Sequence, residues 1–78
     1  MEIKELVIRI VKVLVEFPEE VSVSEVKSET TTVIELKVNN SDIGKVIGKQ
    51  GRTAKSIRNI LGAVSAKHNR RFILEIIE

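Results

Sequence analysis

The residues best suited to chemistry lie in one stretch, residues 41–58, which reads SDIGKVIGKQGRTAKSIR. Three of the four glycines in the chain fall there within eight residues, at Gly44, Gly48 and Gly51, and every charge after Asp42 in the stretch is positive. Glycine permits backbone conformations with positive φ and lets another molecule approach the main chain closely. The stretch therefore predicts a tight turn that binds an anion.

Two helices are predicted on either side of this turn, from Asp42 to Ile47 and from about Arg52 to Lys67. The second helix would present unpaired N–H groups and the positive end of its dipole to the turn. A phosphate is a natural occupant of such a position, and the neighbouring isoleucines, Ile57 among them, offer an apolar wall. The candidate binding residues are Ile43, Gly44, Lys45, Val46, Ile47, Gly48, Lys49, Gln50, Gly51, Arg52, Lys55 and Arg58.

Two known phosphate-binding motifs are excluded by spacing. A P-loop has four residues between its two glycines and a hydroxyl residue after its lysine. Here three residues separate Gly44 from Gly48, and Gln50 follows Lys49. The dinucleotide-binding fingerprint Gly-x-Gly-x-x-Gly is also absent, because residue 46 is valine. Nucleotide hydrolysis and NAD binding are therefore not expected, and a plain helix-to-helix turn without a ligand is the alternative.

The composition excludes several other kinds of site. Cysteine is absent and His68 is the only histidine, so neither a disulfide framework nor a metal site is predicted. No pattern places a nucleophile beside a base, so we expect no catalytic residues, no cofactor and no enzymatic activity. The only aromatic residues, Phe17 and Phe72, fit the core pattern, which argues against binding by base stacking.

Length and hydropathy indicate one small domain, residues 1–78, in the cytoplasm. The longest apolar run, residues 6–15, is broken by two basic residues and is far shorter than the roughly 20 residues of a membrane span. Glu2 and Glu5 occupy positions where a signal peptide would carry basic residues.

Charge is distributed unevenly along the chain. Residues 1–41 contain five basic and eight acidic side chains, whereas residues 42–78 contain eight basic and three acidic ones. Between Lys45 and Arg71 all eight charged residues are positive. This asymmetry favours a polyanion on one side of the fold; chance segregation of charge on a small surface is the alternative.

Apolar periodicity predicts the elements that must position the turn. A helix is expected from Glu2 to Phe17, ended by Pro18, with Ile8 and Val15 as an apolar shoulder outside its core stripe. The predicted stripe consists of Ile3, Leu6, Val7, Ile10, Leu14 and Phe17, with Val11 and Val13 at its margins.

Alternating apolar and polar residues then predict two strands, Val21 to Val26 and Thr32 to Val38, joined as a hairpin by a short polar turn. A last strand follows the second long helix, from Arg71 to Ile77. The order is therefore α-β-β-α-α-β, and a two-helix crossover favours parallel pairing of the second and third strands. The predicted fold class is α+β, a three-stranded mixed sheet with three helices packed on one face.

The run VIGKQGRTAKSIR, which places Ile47, Gly48 and Gly51 at the junction of two helices, resembles the I-G-x-x-G signature of KH domains. In that family the loop clamps about four nucleotides of single-stranded RNA or DNA. Two strands before the loop and one after it resemble the type II, prokaryotic topology. The longer run is similar to the small stand-alone bacterial single-KH proteins of the KhpA type.

This resemblance implies RNA binding with little sequence specificity. Residues 48–51 would be the clamp, the second strand would form the other side of the groove, and the groove would be lined by Ile43, Val46, Ile47 and Ile57. The resemblance also implies a homodimer and allows pairing with a larger KH protein of the Jag type. The alternative is a KH-shaped protein-interaction adaptor in which RNA binding is secondary.

Overall fold

A computed structural model describes residues 2–78. Its helices and strands, in chain order, are α1 (Ile3–Leu14), β1 (Ser22–Lys27), β2 (Thr31–Lys37), α2 (Ile43–Ile47), α3 (Arg52–His68) and β3 (Arg71–Ile76). Single turns of 3-10 helix occur at Pro18–Glu20, Asn40–Asp42 and Lys49–Gly51. The predicted α+β class and the order α-β-β-α-α-β are confirmed. Within the described residues no helix is long and apolar enough to cross a membrane.

The sheet has three strands in the order β1-β2-β3, so the middle strand is β2. β1 pairs with β2 as an antiparallel hairpin, and β3 pairs with β2 in parallel. At the centre of the sheet Ile34 lies opposite Glu25 on one side and Leu74 on the other. Both predicted pairings are confirmed, and the crossover between β2 and β3 carries the residues of the candidate site.

One face of the sheet packs against the helices because apolar residues alternate along the strands. Thr32, Ile34 and Leu36 of β2 are buried, whereas their neighbours in the strand are more exposed. The buried apolar cluster comprises Val7, Val11, Val23, Ile34, Leu36, Val38, Val46, Ile57, Leu61 and Leu74.

The first helix ends at Leu14, three residues before the predicted end at Phe17. Val15 adopts an extended conformation (φ −97°, ψ 160°). Because Pro18 disfavours helical geometry in the residue that precedes it, the chain leaves the helix ahead of the proline. The predicted boundary was therefore wrong, and two residues after the helix bond elsewhere, as described below.

The buried stripe of α1 is centred on Val7 and Val11, both fully buried. The predicted apolar shoulder, Ile8 and Val15, instead packs against the core cluster. In contrast, Val13 is 83% exposed and Leu14, placed in the predicted stripe, is 38% exposed. The prediction failed because apolar residues cover a wide arc of this helix, and only packing against β1 determines which part of the arc is buried.

In α3 the buried residues are Ala54, Ile57 and Leu61, which recur at helical spacing on one face. Ile60 was predicted to be buried but is 44% exposed. Ala63, predicted to allow close packing, is exposed as well. The sheet covers only one side of this helix, so apolar residues next to the buried stripe stay at the surface.

Candidate nucleic-acid interface

The connection between α2 and α3 is a four-residue loop, Gly48–Gly51, called the clamp loop below. Three of its residues have positive φ: 80° at Gly48, 58° at Gln50 and 72° at Gly51. The loop is closed by a hydrogen bond from the Gly51 N–H to the Gly48 carbonyl, 3.0 Å long. Since L-residues rarely adopt positive φ, the backbone conformation favours glycine at both ends of the loop, and the predicted tight turn is confirmed.

The side chains of the clamp loop point to solvent. Lys49 and Gln50 are exposed, and so are Arg52 and Lys55 in the first turn of α3. The residue at the N-cap position of α3 is Gly51, which has no side chain to bond the first amides of the helix. This end of α3 therefore combines the positive end of the helix dipole with positively charged side chains, an arrangement that suits a phosphate.

A cavity of about 330 Å³ opens beside the clamp loop. On the helical side it is lined by Ile47, Gly51, Ala54 and Arg58, and on the strand side by Leu74, Glu75, Ile76 and Glu78. The wall opposite the helices is therefore β3, not the second strand as predicted. The physical reason is the strand order, which puts β2 in the middle of the sheet and β3 at the edge nearest the loop.

As an edge strand, β3 directs half of its main-chain groups away from the sheet. The Arg71 N–H donates to the carbonyl of Thr30, just before β2, at 2.9 Å, and the Ile77 N–H donates to the carbonyl of Leu36 in β2 at 2.8 Å. Residues between them alternate in direction. Accordingly, the N–H of Phe72 turns outward to Ser65 Oγ, and the carbonyl of Leu74 accepts from Arg58 at 3.4 Å. The same alternation directs the N–H and carbonyl of Ile76 to the cavity side.

Lys45 is on α2, and its ammonium group is already near two carboxylates. Its Nζ lies 3.5 Å from Asp42 Oδ1 and 3.7 Å from Glu16 Oε2. Its positive charge is therefore partly compensated within the protein. The sequence pattern had counted Lys45 as a cation available to bind a ligand.

The short helix was predicted to begin at Asp42; in the structure Asp42 is the N-cap residue before α2, but its side chain makes no cap bond. Instead its two oxygens accept hydrogen bonds from the backbone N–H groups of Glu16 and Phe17, both 3.0 Å long. Burial alone would raise the pKa of Asp42, but the two N–H donors and Lys45 outweigh it and hold that pKa below its usual range.

The remaining candidate residues divide by exposure. Val46 and Ile57 are buried, so they support the site from the core and do not line it. Ile47 is partly exposed and lines the cavity beside the loop, whereas Ile43, also partly exposed, packs against the core cluster at the start of α2. Gly44 is exposed on α2. The clamp loop, the start of α3 and Ile47 thus lie on one surface, and the RNA-binding roles expected of these residues stay a prediction.

The positive charge of the second half of the chain is not all on this surface. The guanidinium of Arg70 donates to Thr32 Oγ1 and to the carbonyls of Ser28, Glu29 and Thr31 in the hairpin turn. Lys67 lies near the far end of α3, a helix of 17 residues that is about 25 Å long. The basic surface at the loop therefore involves fewer cations than the charge count suggests.

Comparison with known proteins gives a consistent result. The family model described as KhpA/KhpB, KH domain, matches residues 4–76. The chain belongs to this KH-domain family. It is 53% identical over 74 residues to the RNA-binding protein KhpA of Clostridium acetobutylicum, an alignment that covers 95% of this chain and 99% of the relative. The KhpA of Chlamydia pneumoniae is 49% identical over 75 residues, with 96% of each chain covered.

A solved structure supports the same fold. A crystal structure of Aquifex aeolicus Era superposes with a TM-score of 0.58, covering 97% of this chain and 31% of that chain. The sequence identity is 22%, so this likeness concerns the fold alone. Together with the family match, it agrees with the type II KH topology that the element order predicts.

Three features of the site were not found by sequence reasoning. One is the buried carboxylate of Asp42, whose partners are 25 and 26 residues away. Another is Thr53, which packs against Gly48. The third is the wall formed by Leu74 and Ile76 of β3. Sequence reasoning could have found this wall only by first inferring that the last strand lies at the edge of the sheet.

Proposed function

We propose that this protein binds short single-stranded RNA, with phosphates at the clamp loop and bases in the cavity between α3 and β3. The observation that carries the proposal is the clamp loop itself. Three positive-φ residues bend the chain so that two exposed polar side chains and the start of α3 share one surface. The relatives named RNA-binding protein KhpA, which align along nearly the whole chain, support RNA as the ligand.

Phosphates bind at the loop by two kinds of interaction. Backbone N–H groups at the start of α3 donate to phosphate oxygens, and Lys49, Arg52 and Lys55 supply positive charge. Because these cations are exposed, their contribution is screened by salt. Affinity for one short strand is therefore modest and falls as the salt concentration rises.

Bases lie against the partly exposed isoleucines and the edge of β3. No aromatic ring of the described residues lines the cavity, so the bases are held by apolar contact and by main-chain groups such as those of Ile76. Apolar surfaces accept any of the four bases, and we infer low sequence specificity for this reason. Among residues 2–78, the charged groups that line the cavity are Arg58 and the glutamates of the strand side.

The test is a double substitution in the clamp loop, Lys49→Asp with Gln50→Asp. Both side chains are exposed, so the fold is expected to persist while RNA binding is lost. Binding is measured by fluorescence anisotropy with labelled single-stranded RNA of random sequence, and folding by circular dichroism. Undiminished RNA binding by the folded double variant would contradict the proposal.

A matched control separates a local effect from a general change in charge. Lys4→Asp with Thr30→Asp alters the formal charge by the same amount, and both residues are exposed. Lys4 adjoins Ile3, which lines a second cavity with Arg70 and His68, beyond the far end of α3. This control is expected to bind RNA nearly as well as the unaltered protein.

We also propose that the protein acts in the cytoplasm as a homodimer, and that it can pair with a larger Jag-type KH protein. Exposed apolar side chains on α3 and on the open face of the sheet, such as Ile60 and Ile73, support protein contacts. If RNA binding is secondary to such contacts, purified protein will assemble but show no affinity for RNA. Sedimentation velocity with and without RNA distinguishes the two functions.

A further inference from the structure

Asp42 is a fully buried carboxylate placed just before the helix that carries the clamp loop. Its oxygens accept the N–H groups of Glu16 and Phe17, and Lys45 Nζ lies 3.5 Å from Oδ1. A buried charge is stable only when it is hydrogen-bonded or paired, and these three groups meet that condition. Asp42 thus bonds the segment after α1 to the start of α2, and the ion pair between Lys45 and Glu16 links the same two segments.

The two amides bound by Asp42 have no partner within α1. The last helical bond runs from the Val15 N–H to the Val11 carbonyl, and Val15 itself is extended. The next two N–H groups therefore point away from the helix, and shielded N–H groups need an acceptor. A carboxylate offers one oxygen to each of two successive amides, whereas the amide side chain of asparagine has only one oxygen.

The helix that follows Asp42 cannot define its own position. α2 has five residues, and helices of that length do not persist without tertiary contacts. Val46, fully buried, and Ile43, partly buried, pack it against the core, and Asp42 bonds its start to the segment after α1. Gly48 begins the clamp loop six residues after Asp42, roughly 9 Å along the helix axis. A shift at the start of α2 is therefore transmitted to the loop.

We propose that Asp42 is a positioning residue for RNA binding: its carboxylate fixes α2 to the segment after α1 and so holds the clamp loop in the conformation that accepts a phosphate. Asp42 is buried and does not itself touch RNA. The affinity readout rests on the proposed function, but the conformation of the loop can be measured without RNA.

The first experiment compares Asp42→Asn with Val7→Ala. Asparagine keeps the shape of the side chain and removes one acceptor and the charge. Val7 is a fully buried core residue of α1 and is not bonded to the start of α2, so Val7→Ala serves as the control for lost stability. Unfolding by urea is measured first, and RNA affinity is then compared at a temperature where both variants are folded.

For Asp42→Asn we expect shifted amide resonances of Lys49, Gln50 and Gly51 in the absence of RNA. If the competent loop conformation falls to about a tenth of the population, the apparent RNA affinity falls about tenfold. For Val7→Ala we expect unchanged loop resonances and unchanged affinity. Equal affinities and unshifted loop amides in Asp42→Asn would overturn the proposal and leave Asp42 a purely structural residue.

A second pair of variants tests the same bond from its donor side, in case Asp42→Asn does not fold. Glu16→Pro removes one donated N–H, and the extended conformation of Val15 is compatible with a following proline. Glu16→Ala is the control, because it removes the same carboxylate and keeps the N–H. The proposal requires shifted loop amides in Glu16→Pro only. If the unaltered protein binds no RNA, the proposed function fails, while the loop resonances still decide the role of Asp42.

Discussion

Gly48 lies so close to Thr53 that residue 48 has no room for a side chain. A β-carbon built on Gly48 would be 2.8 Å from the Thr53 amide nitrogen and closer still to the threonine side chain. Gly51, at the other end of the clamp loop, has positive φ as well but no atom within 4 Å of such a β-carbon. Gly48 therefore serves both close packing and backbone conformation, whereas Gly51 serves backbone conformation only.

Alanine substitution should separate these two purposes. Gly51→Ala introduces only the strain of a left-handed residue, about 1–2 kcal/mol. Gly48→Ala adds the overlap with Thr53, so we expect a larger loss of stability and a displaced loop. Urea unfolding and RNA affinity of both variants check this order. In a Thr53→Ala background the Gly48→Ala loss should persist, because the backbone nitrogen and β-carbon of residue 53 remain in place; full recovery would contradict the packing argument.

The salt dependence of RNA binding should distinguish Lys49 from Lys45. Each phosphate neutralised on a single strand contributes about 0.7 to the slope of log affinity against log salt concentration. Lys49 is exposed without an acidic partner among the ion pairs of residues 2–78, so Lys49→Gln should reduce the slope by about that amount. Lys45→Gln should reduce it less, because two carboxylates already share the charge of Lys45.

A control for this prediction uses the carboxylate of Glu16, which lies 3.7 Å from Lys45. Glu16→Gln removes that carboxylate and should raise RNA affinity slightly at low salt, an effect that disappears when Lys45 is also replaced. The affinity is titrated at several salt concentrations with the same labelled RNA. Equal slopes for the Lys45 and Lys49 variants would show that the ion pairs do not restrain Lys45.

Stability in acid should depend on Asp42. The pKa of Asp42 in the folded protein is below its usual range, so unfolding takes up a proton as the pH falls. The stabilisation by this carboxylate is therefore fully present above the ordinary pKa of an aspartate and is lost as the pH falls through the lower folded pKa. The charged groups that face it are Lys45 on α2 and, through Lys45, Glu16 after α1.

The measurement is the urea midpoint of the unaltered protein and of Asp42→Asn as a function of pH. We expect the urea midpoints of the two proteins to differ near neutral pH. This difference should narrow steadily in acid, since a protonated Asp42 resembles asparagine. A difference that stays constant down to the acid limit of folding would mean that the charge of Asp42 contributes nothing to stability.

The fold was predictable from sequence because local patterns determine most of it. The alternation from Thr32 to Val38 gives the central strand and its buried face, and the glycines fix the break between α2 and α3. The clamp loop and its exposed cations could be named for the same reason. All of these depend on residues that are close together in the sequence.

The missed features depend on contacts between distant residues. The rotation of α1 follows from packing against β1, which the wide apolar arc of the helix leaves undetermined. Asp42 fits an N-cap pattern, and nothing nearby in the sequence indicates that its acceptors serve amides beyond Leu14. The groove wall follows from the edge position of β3, a property of the assembled sheet and of no single segment.

Arg70 should prove to be a stability residue without a part in RNA binding. Its guanidinium joins the end of α3 to the hairpin turn through Thr32 Oγ1 at 2.8 Å and through three main-chain carbonyls.

Arg70→Lys keeps the charge but cannot span these acceptors, because an ammonium lacks the planar fork of a guanidinium. We expect a loss of about 1.5–3 kcal/mol in the free energy of unfolding, the range for hydrogen bonds to a charged group. RNA affinity and its salt slope, measured where the variant is folded, should stay unchanged, because the hairpin turn and the clamp loop are at opposite ends of α3. A reduced salt slope in Arg70→Lys would instead place the hairpin turn within the RNA-binding surface.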